Sequence, residues 1–83
     1  MPISGVVVLT GPDKTEEVLD KLQKMDGVTT YGIHNDCHIV SVLEAETLND
    51  LENMSETIGK SIQGVLGVYP AYVNFEDEVQ SEI

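Results

Sequence analysis

Residues 28–44, VTTYGIHNDCHIVSVLE, contain two strand-forming runs joined by a turn. The first run, Val28–His34, is rich in β-branched and aromatic residues, which favour strands. Asn35-Asp36 supplies the turn, because both residue types tolerate the backbone conformations of tight turns. The second run, His38–Glu44, is then the return strand. This stretch therefore predicts a β-hairpin in the middle of the chain.

A strand and a helix precede the hairpin. Residues 3–10 are rich in β-branched residues and are closed by a Gly-Pro pair, which predicts strand one, buried on at least one face. Asp13 stands three residues before Glu16, the spacing of a capping box, and predicts the start of helix one, which ends at Gly27. Apolar residues recur along it at helical spacing: Val18, Leu19, Leu22 and Met25.

A helix and a strand also follow the hairpin. Thr47 is placed to cap helix two, with Asp50 at its third position, and Gly64 ends this helix. The residues that repeat at helical spacing are Leu48, Leu51, Ser55, Ile58 and Ile62. Val65–Phe75 is the last strand. Because Pro70 has no N–H to donate to a ladder, we expect this strand at a sheet edge or with a bulge.

The order of these elements predicts an α+β fold. Each helix is followed by a strand through the same kind of segment, 26–28 (DGV) or 63–65 (QGV), which indicates two similar halves related by a pseudo-twofold axis. The predicted architecture is the ferredoxin-like βαββαβ sandwich: a four-stranded antiparallel sheet of order 4-1-3-2 with two helices on one face. Within it we expect strands one and three side by side and parallel in the middle, with strands two and four antiparallel at the edges.

The chain is small and strongly acidic. Its 83 residues suffice for one domain, which we assign to residues 1–75, followed by an acidic tail, 76–83, that we expect to be disordered. Fifteen Asp and Glu residues against four lysines give a net charge of −11, so nucleic acids are poor partners and basic peptides are attracted. No apolar run approaches the ~20 residues of a membrane span, so we expect no membrane insertion.

Few residues suggest catalysis or metal binding. The single cysteine excludes an intrachain disulfide, and the start of the chain lacks the pattern of an export signal, which predicts a cytoplasmic setting. His34, Cys37 and His38 cluster at the hairpin. Three such residues on one turn, without a second motif, are more typical of ordinary hairpin residues than of a metal site. We therefore predict no cofactor, no metal and no enzymatic activity.

Residue types exclude several functions of the ferredoxin-like fold. An RNA-recognition module needs aromatic residues on its central strands, and strands one and three have none. An acylphosphatase-like enzyme needs a cation to hold its substrate, whereas the four lysines lie on the helices or at their starts. A bacterial iron–sulfur ferredoxin needs several cysteines. A binding module for a peptide or a small effector remains.

Short segments along nearly the whole chain resemble the NapD family. They are residues 3–8 (ISGVVV), 26–28 (DGV), 42–46 (VLEAE), 63–68 (QGVLGV) and Tyr72. The resemblance implies a cytoplasmic chaperone that binds the twin-arginine signal peptide of the catalytic subunit of periplasmic nitrate reductase and restrains its export until cofactor insertion. We expect such a chaperone to be a monomer. Pro70 and the cluster of His34, Cys37 and His38 depart from the family pattern.

Alternation along strand three predicts which residues face away from the helices. His38, at one end, and Glu44, at the other, share a parity with two valines between them, and we assign this set to an open face of the sheet. The residues between them, Ile39, Ser41 and Leu43, then pack under the helices. Ser41 is the buried polar group of this strand that needs a partner.

Strand one is harder to assign. Ser4, Val6, Val8 and Thr10 look more solvated, but Gly5 with Val7 and Leu9 leaves room for a docking backbone, so we assign the second set to the open face. We expect Tyr31 and Tyr69, on the edge strands, to serve as aromatic anchors, because aromatic residues often dominate binding energy. The predicted signal-peptide-binding residues are Val7, Leu9, Tyr31, His38, Val40, Val42, Glu44 and Tyr69.

A second function remains open at this stage. A small regulatory domain that pairs through its sheet and binds an amino acid at the dimer interface has the same topology. An apolar open face would then be a dimer surface. The mass of the protein in solution separates this alternative from the chaperone.

Overall fold

The structure, a computed structural model, describes residues 2–75, and the predicted tail at 76–83 lies outside the described residues. The six predicted elements are present in the predicted order. They are β1 (Pro2–Thr10), α1 (Thr15–Gln23), β2 (Val28–His34), β3 (His38–Glu44), α2 (Leu48–Ser61) and β4 (Val65–Phe75).

The four strands form one sheet of order β2-β3-β1-β4 in which every neighbouring pair is antiparallel. This confirms the ferredoxin-like sandwich and its strand order. The expectation that strands one and three run parallel is wrong. The crossover through α1 returns the chain in the direction of β1, and the tight hairpin then reverses it, so β3 must run against β1.

The core lies between the sheet and the two helices. It is formed by valines and larger apolar residues from both layers: Val6, Val8, Val18, Leu22, Ile39, Leu43, Leu51, Ile58 and Ile62. The predicted alternation in β3 is confirmed, because Ile39, Ser41 and Leu43 are buried while their neighbours are half-buried or exposed.

The assignment of strand one is confirmed in one part and wrong in another. Val7 and Leu9 lie on the face away from the helices, as predicted. The expectation that the alternate residues of this strand are more solvated is wrong. Ser4 and Thr10 are buried beside Val6 and Val8. The burial of Thr10 is compensated, since its hydroxyl lies 2.7 Å from the hydroxyl of Thr15.

The start of α1 differs from the predicted capping box. Lys14, not Asp13, occupies the cap position, and no side chain caps the helix. The Thr15 hydroxyl donates instead to the carbonyl oxygen of Asp36 at 2.7 Å, so the Thr10 hydroxyl must donate to Thr15. These two hydroxyls tie the start of α1 to the β2–β3 turn, where Asn35 and Asp36 adopt positive φ angles of 53° and 66°.

The predicted cap of α2 is confirmed, since Thr47 accepts a hydrogen bond from the Asp50 N–H at 3.0 Å. The glycines at 27 and 64 follow the helices, which end earlier, at Gln23 and Ser61. Both have positive φ, 82° and 101°, and both carbonyl oxygens accept a backbone hydrogen bond from another strand end or loop. The two helix-to-strand segments are thus equivalent, as their sequences predict.

β4 is an edge strand, and it carries the irregularity that Pro70 predicts. Pro70 pairs with Val6 and Tyr72 pairs with Gly5, so Ala71 is an extra residue in β4 at this point. The proline therefore lies where a missing N–H is tolerated.

Candidate functional site

The open face is the surface of the sheet that the two helices leave uncovered. The strand registers place seven of the eight predicted site residues on it. Tyr31 follows Thr30, which pairs with the buried Ser41, so alternation puts Tyr31 on this face as well. Leu9 pairs with His38, Val7 with Val40, Gly5 with Val42 and Ile3 with Glu44, so these residues of β1 and β3 share one face.

An apolar row crosses this face from one sheet edge to the other. Val7 pairs with Val40 on one side and with Tyr69 on the other. Tyr31 follows Thr30, the partner of Ser41, and begins the irregular part of β2 before Ile33, so it lies on the β2 side of Val40 without a direct register partner. We call Tyr31, Val40, Val7 and Tyr69 the apolar row. Its two ends are exposed, with Tyr31 at 66% and Tyr69 at 56% of their full accessible surface.

The position of the Tyr69 ring depends on a glycine two residues earlier. A Cβ atom on Gly67 would lie 2.6 Å from the Tyr69 Oη and 2.8 Å from its ring carbons. The ring therefore lies on the backbone of Gly67, next to Leu9, with which Gly67 pairs. This arrangement gives the row a broad aromatic surface at its β4 end. No pattern in the sequence marks Gly67 as a contributor to the site.

A second, more polar row lies beside the first. His34 pairs with His38, and His38 pairs with Leu9. The Nδ1 atom of His38 is shielded from solvent and makes no hydrogen bond within residues 2–75. Cys37, in the adjoining turn, is a partly exposed free thiol. Within the same part of the chain, no three His, Cys, Asp or Glu side chains are arranged to hold a metal ion.

The open face is almost neutral although the chain is strongly acidic. Glu44 is the sole carboxylate, and no lysine occurs, in the four described strands. Glu44 lies at one end of β3, beside Ile3 and away from the apolar row. The four lysines belong to α1, its flanking residues and α2: Lys14, Lys21, Lys24 and Lys60. Most of the negative charge therefore lies on the helices and loops.

The structure brings some predicted site residues together and separates others. Direct pairing joins Val40, Val7 and Tyr69, and Tyr31 lies at the β2 end of this row. Leu9 with His38 extends it toward the hairpin turn. Val42 lies one step toward the other end of the face, and Glu44 lies two steps away. Which of these residues contact a partner stays a prediction.

Neither helix in the described part of the chain has the length and apolar character that crossing a membrane requires.

Comparisons with known proteins give a family and a fold. A family model described as NapD protein matches residues 1–77. No curated protein sequence matches the chain significantly. The solution structure of the E. coli Tat proofreading chaperone NapD is similar, with a TM-score of 0.76 and 20% identity over 98% of this chain and 85% of that one.

A second similar structure is a transcriptional regulatory protein of the AsnC family from Pyrococcus furiosus. The TM-score is 0.68 at 13% identity, over 95% of this chain and 53% of that chain. At these identities the two solved structures establish the fold alone.

Proposed function

This chain belongs to the NapD family, and on that basis we propose that it is a chaperone that binds a twin-arginine signal peptide. The cargo we propose is the catalytic subunit of periplasmic nitrate reductase, held back from export in the cytoplasm until its cofactor is inserted. The similarity to a structure described as a Tat proofreading chaperone supports the assignment. The protein acts by binding as a monomer, without a cofactor and without catalysis.

The apolar row is the observation that carries this proposal. A twin-arginine signal peptide has a basic start followed by an apolar stretch, and the apolar stretch needs a surface that removes it from water. The row offers two valines between two exposed tyrosines. Aromatic residues at such positions often contribute most of the binding energy. A peptide lying on the row contacts all four strands at once.

Charge supports the same partner. With a net charge of −11, the protein attracts a basic peptide at long range and accelerates the encounter. No lysine in the described strands opposes the peptide on the open face. We propose that the net negative charge guides the peptide to the protein and that the apolar row then holds it.

A titration with backbone amide detection tests the proposal. We would add a synthetic peptide with two adjacent arginines before an apolar stretch, and follow amide resonances by nuclear magnetic resonance. The amides of β1 and β3 around Val7 and Val40 should respond most. A peptide of the same composition in scrambled order is the control. Saturable binding with responses confined to the outer surfaces of α1 and α2 contradicts the open face as the site.

The regulatory-domain alternative is supported by the same uncovered apolar surface, which two copies of the chain could share. The similarity of fold to an AsnC-family regulator is compatible with it. Light scattering separates the two functions. A stable dimer whose melting temperature rises with a free amino acid favours the regulatory domain, and a monomer that binds the signal peptide favours the chaperone.

A further inference from the structure

A groove between α2 and β4 lies on the helix side of the sheet, separate from the open face. It encloses about 410 Å³. Its apolar lining comes from Leu48 and Leu51 of α2 and from Val68 and Pro70 of β4. Leu48 is 44% exposed although it falls on the apolar repeat of its helix. The groove is therefore an apolar surface that the core does not use fully.

The charges of the groove are all negative. Glu52 and Glu56 are the charged residues that line it, and both are exposed on α2. They are four residues apart, so they lie one above the other on the same side of the helix and repel each other by a few tenths of a kcal/mol. Among residues 2–75, no lysine forms an ion pair with either carboxylate. A cation held between them would relieve this repulsion.

One edge strand separates the groove from the apolar row. Val68, Tyr69 and Pro70 are consecutive in β4, and successive side chains of a strand point to opposite faces. Tyr69 ends the apolar row on the open face. Val68 and Pro70 line the groove on the other side. A chain that follows the row past Tyr69 reaches the groove by crossing a single strand, because no further strand pairs with β4 in the described sheet.

We propose that the α2–β4 groove holds the basic residues of the peptide whose apolar stretch lies on the open face. This inference rests on the proposed function. Arginine fits the groove because its alkyl part packs on Leu48 and Val68 while its guanidinium reaches the carboxylates of Glu52 and Glu56. The open face lacks an equivalent partner, since Glu44, its sole carboxylate, lies away from the row. The basic residues and the apolar stretch of the peptide thus bind on opposite sides of β4.

The test compares two peptides and three proteins. The first peptide has two adjacent arginines before an apolar stretch, and the second has glutamines in their place. The proteins are wild type, the groove variant Glu52→Gln/Glu56→Gln, and a matched control, Glu16→Gln/Glu17→Gln. The control removes two exposed carboxylates from the first turn of α1, so both variants change the net charge equally. Dissociation constants come from isothermal titration calorimetry.

The groove variant should bind the arginine peptide about fivefold more weakly than wild type, as expected for two exposed ion pairs. Its affinity for the glutamine peptide should be unchanged. The control should keep the preference of wild type for the arginine peptide. In wild type, the methyl resonances of Leu48 and Val68 should shift with the arginine peptide and not with the glutamine peptide.

Two results overturn the inference while leaving the proposed function intact. One is a groove variant that keeps the full preference for arginine. The other is a control that loses the preference equally, which would assign it to net charge rather than to the groove. If wild type binds neither peptide, the proposed function fails and this inference fails with it.

Discussion

Val7 of β1 lies directly between Val40 of β3 and Tyr69 of β4 on the open face. The apolar row therefore runs across the strands instead of along one of them. Because neighbouring strands are about 4.8 Å apart, the row is roughly 14 Å long from β2 to β4. A partner lying on it needs no hydrogen bonds to an edge strand. Pro70, which interrupts the ladder in β4, is thus no obstacle to this mode of binding.

The tyrosines at the ends of the row should dominate its binding energy. We expect Tyr31→Ala and Tyr69→Ala each to weaken binding of the signal peptide about tenfold, because each removes a large exposed ring from the contact. Stability should change by less than about 0.5 kcal/mol for surface truncations of this kind. Calorimetric titration and thermal unfolding measure the two effects.

Leu66→Ala is the matched control for the tyrosine variants. Leu66 is as exposed as Tyr31, at 67%, and lies in β4 outside the apolar row. Its truncation should leave the affinity for the peptide at the wild-type value. Equal losses for Leu66 and the two tyrosines would mean that exposed apolar surface in general, and not the row, binds the peptide.

Two glycines should respond very differently to the same substitution. Gly67→Ala places a Cβ atom against the end of the Tyr69 ring, which is free to rotate away into solvent. Gly27→Ala places it 2.7 Å from the carbonyl oxygen of Glu44, a backbone atom that cannot move without disturbing β3, and does so at a φ of 82°.

We expect Gly27→Ala to lower the free energy of unfolding by about 2 kcal/mol. Gly67→Ala should fold nearly as stably as wild type but bind the peptide more weakly, since the Tyr69 ring can no longer occupy its place over the backbone of residue 67. Chemical denaturation and peptide titration measure the pair. A Gly67→Ala variant with normal affinity would show that the ring position does not matter for binding.

The sequence predicts the helices and strands well because the turns and caps that separate them depend on residues close together in the chain. The Asn35-Asp36 turn and the Thr47 cap act within a few residues, and both are found where predicted. The predicted cap at Asp13 is wrong because contacts between residues far apart in the chain determine how α1 begins. Thr15 belongs to a hydrogen-bond network with Thr10 and Asp36, which only the folded chain brings together.

Features of the site that depend on register are less predictable. Alternation alone places Val7 and Leu9 on the open face, but the contact of Tyr69 with Gly67 depends on how the ring lies on the strand. The α2–β4 groove is hidden in the sequence because Leu48 fits the apolar repeat of its helix. Its exposure follows from the packing of α2 against β4, which composition and periodicity do not specify.

Two buried hydroxyl groups should affect stability in opposite directions, because one has hydrogen-bond partners and the other has none among the described residues. Ser41 is fully buried, and its Oγ has no hydrogen-bond partner within residues 2–75. Ser41→Ala removes an unpaired polar atom, so the free energy of unfolding should stay constant or rise by up to about 1 kcal/mol. Denaturant titration measures the change.

Thr15→Val is the comparison, because the Thr15 hydroxyl has close partners, at 2.7 Å, in both Thr10 and Asp36. The change keeps the shape of the side chain and removes the donor to the carbonyl oxygen of Asp36, while the Thr10 hydroxyl keeps only the longer contact, 3.4 Å, to the carbonyl oxygen of Cys37. We expect a loss of about 1–2 kcal/mol. A larger loss for Ser41→Ala than for Thr15→Val would contradict this account of the two sites.

Adjacent residues in β3 should give opposite phenotypes when each is replaced by lysine. Val42 lies on the open face opposite Gly5, whereas Leu43 is fully buried under the helices. In Val42→Lys the new ammonium group meets water, so stability should change by less than about 1 kcal/mol. In Leu43→Lys the charge enters an apolar core, and a domain with a total stability of ~5 kcal/mol should not remain folded.

Peptide binding completes the comparison. The ammonium group of Val42→Lys lies one step from the apolar row and repels a basic peptide, so we expect weaker binding by a protein that still folds. Val42→Gln is the control for charge, since it introduces a polar side chain of similar reach without the cation, and its affinity should fall less. Circular dichroism establishes folding and calorimetry establishes affinity. If Val42→Lys folds and binds with wild-type affinity, the peptide does not dock on this part of the open face.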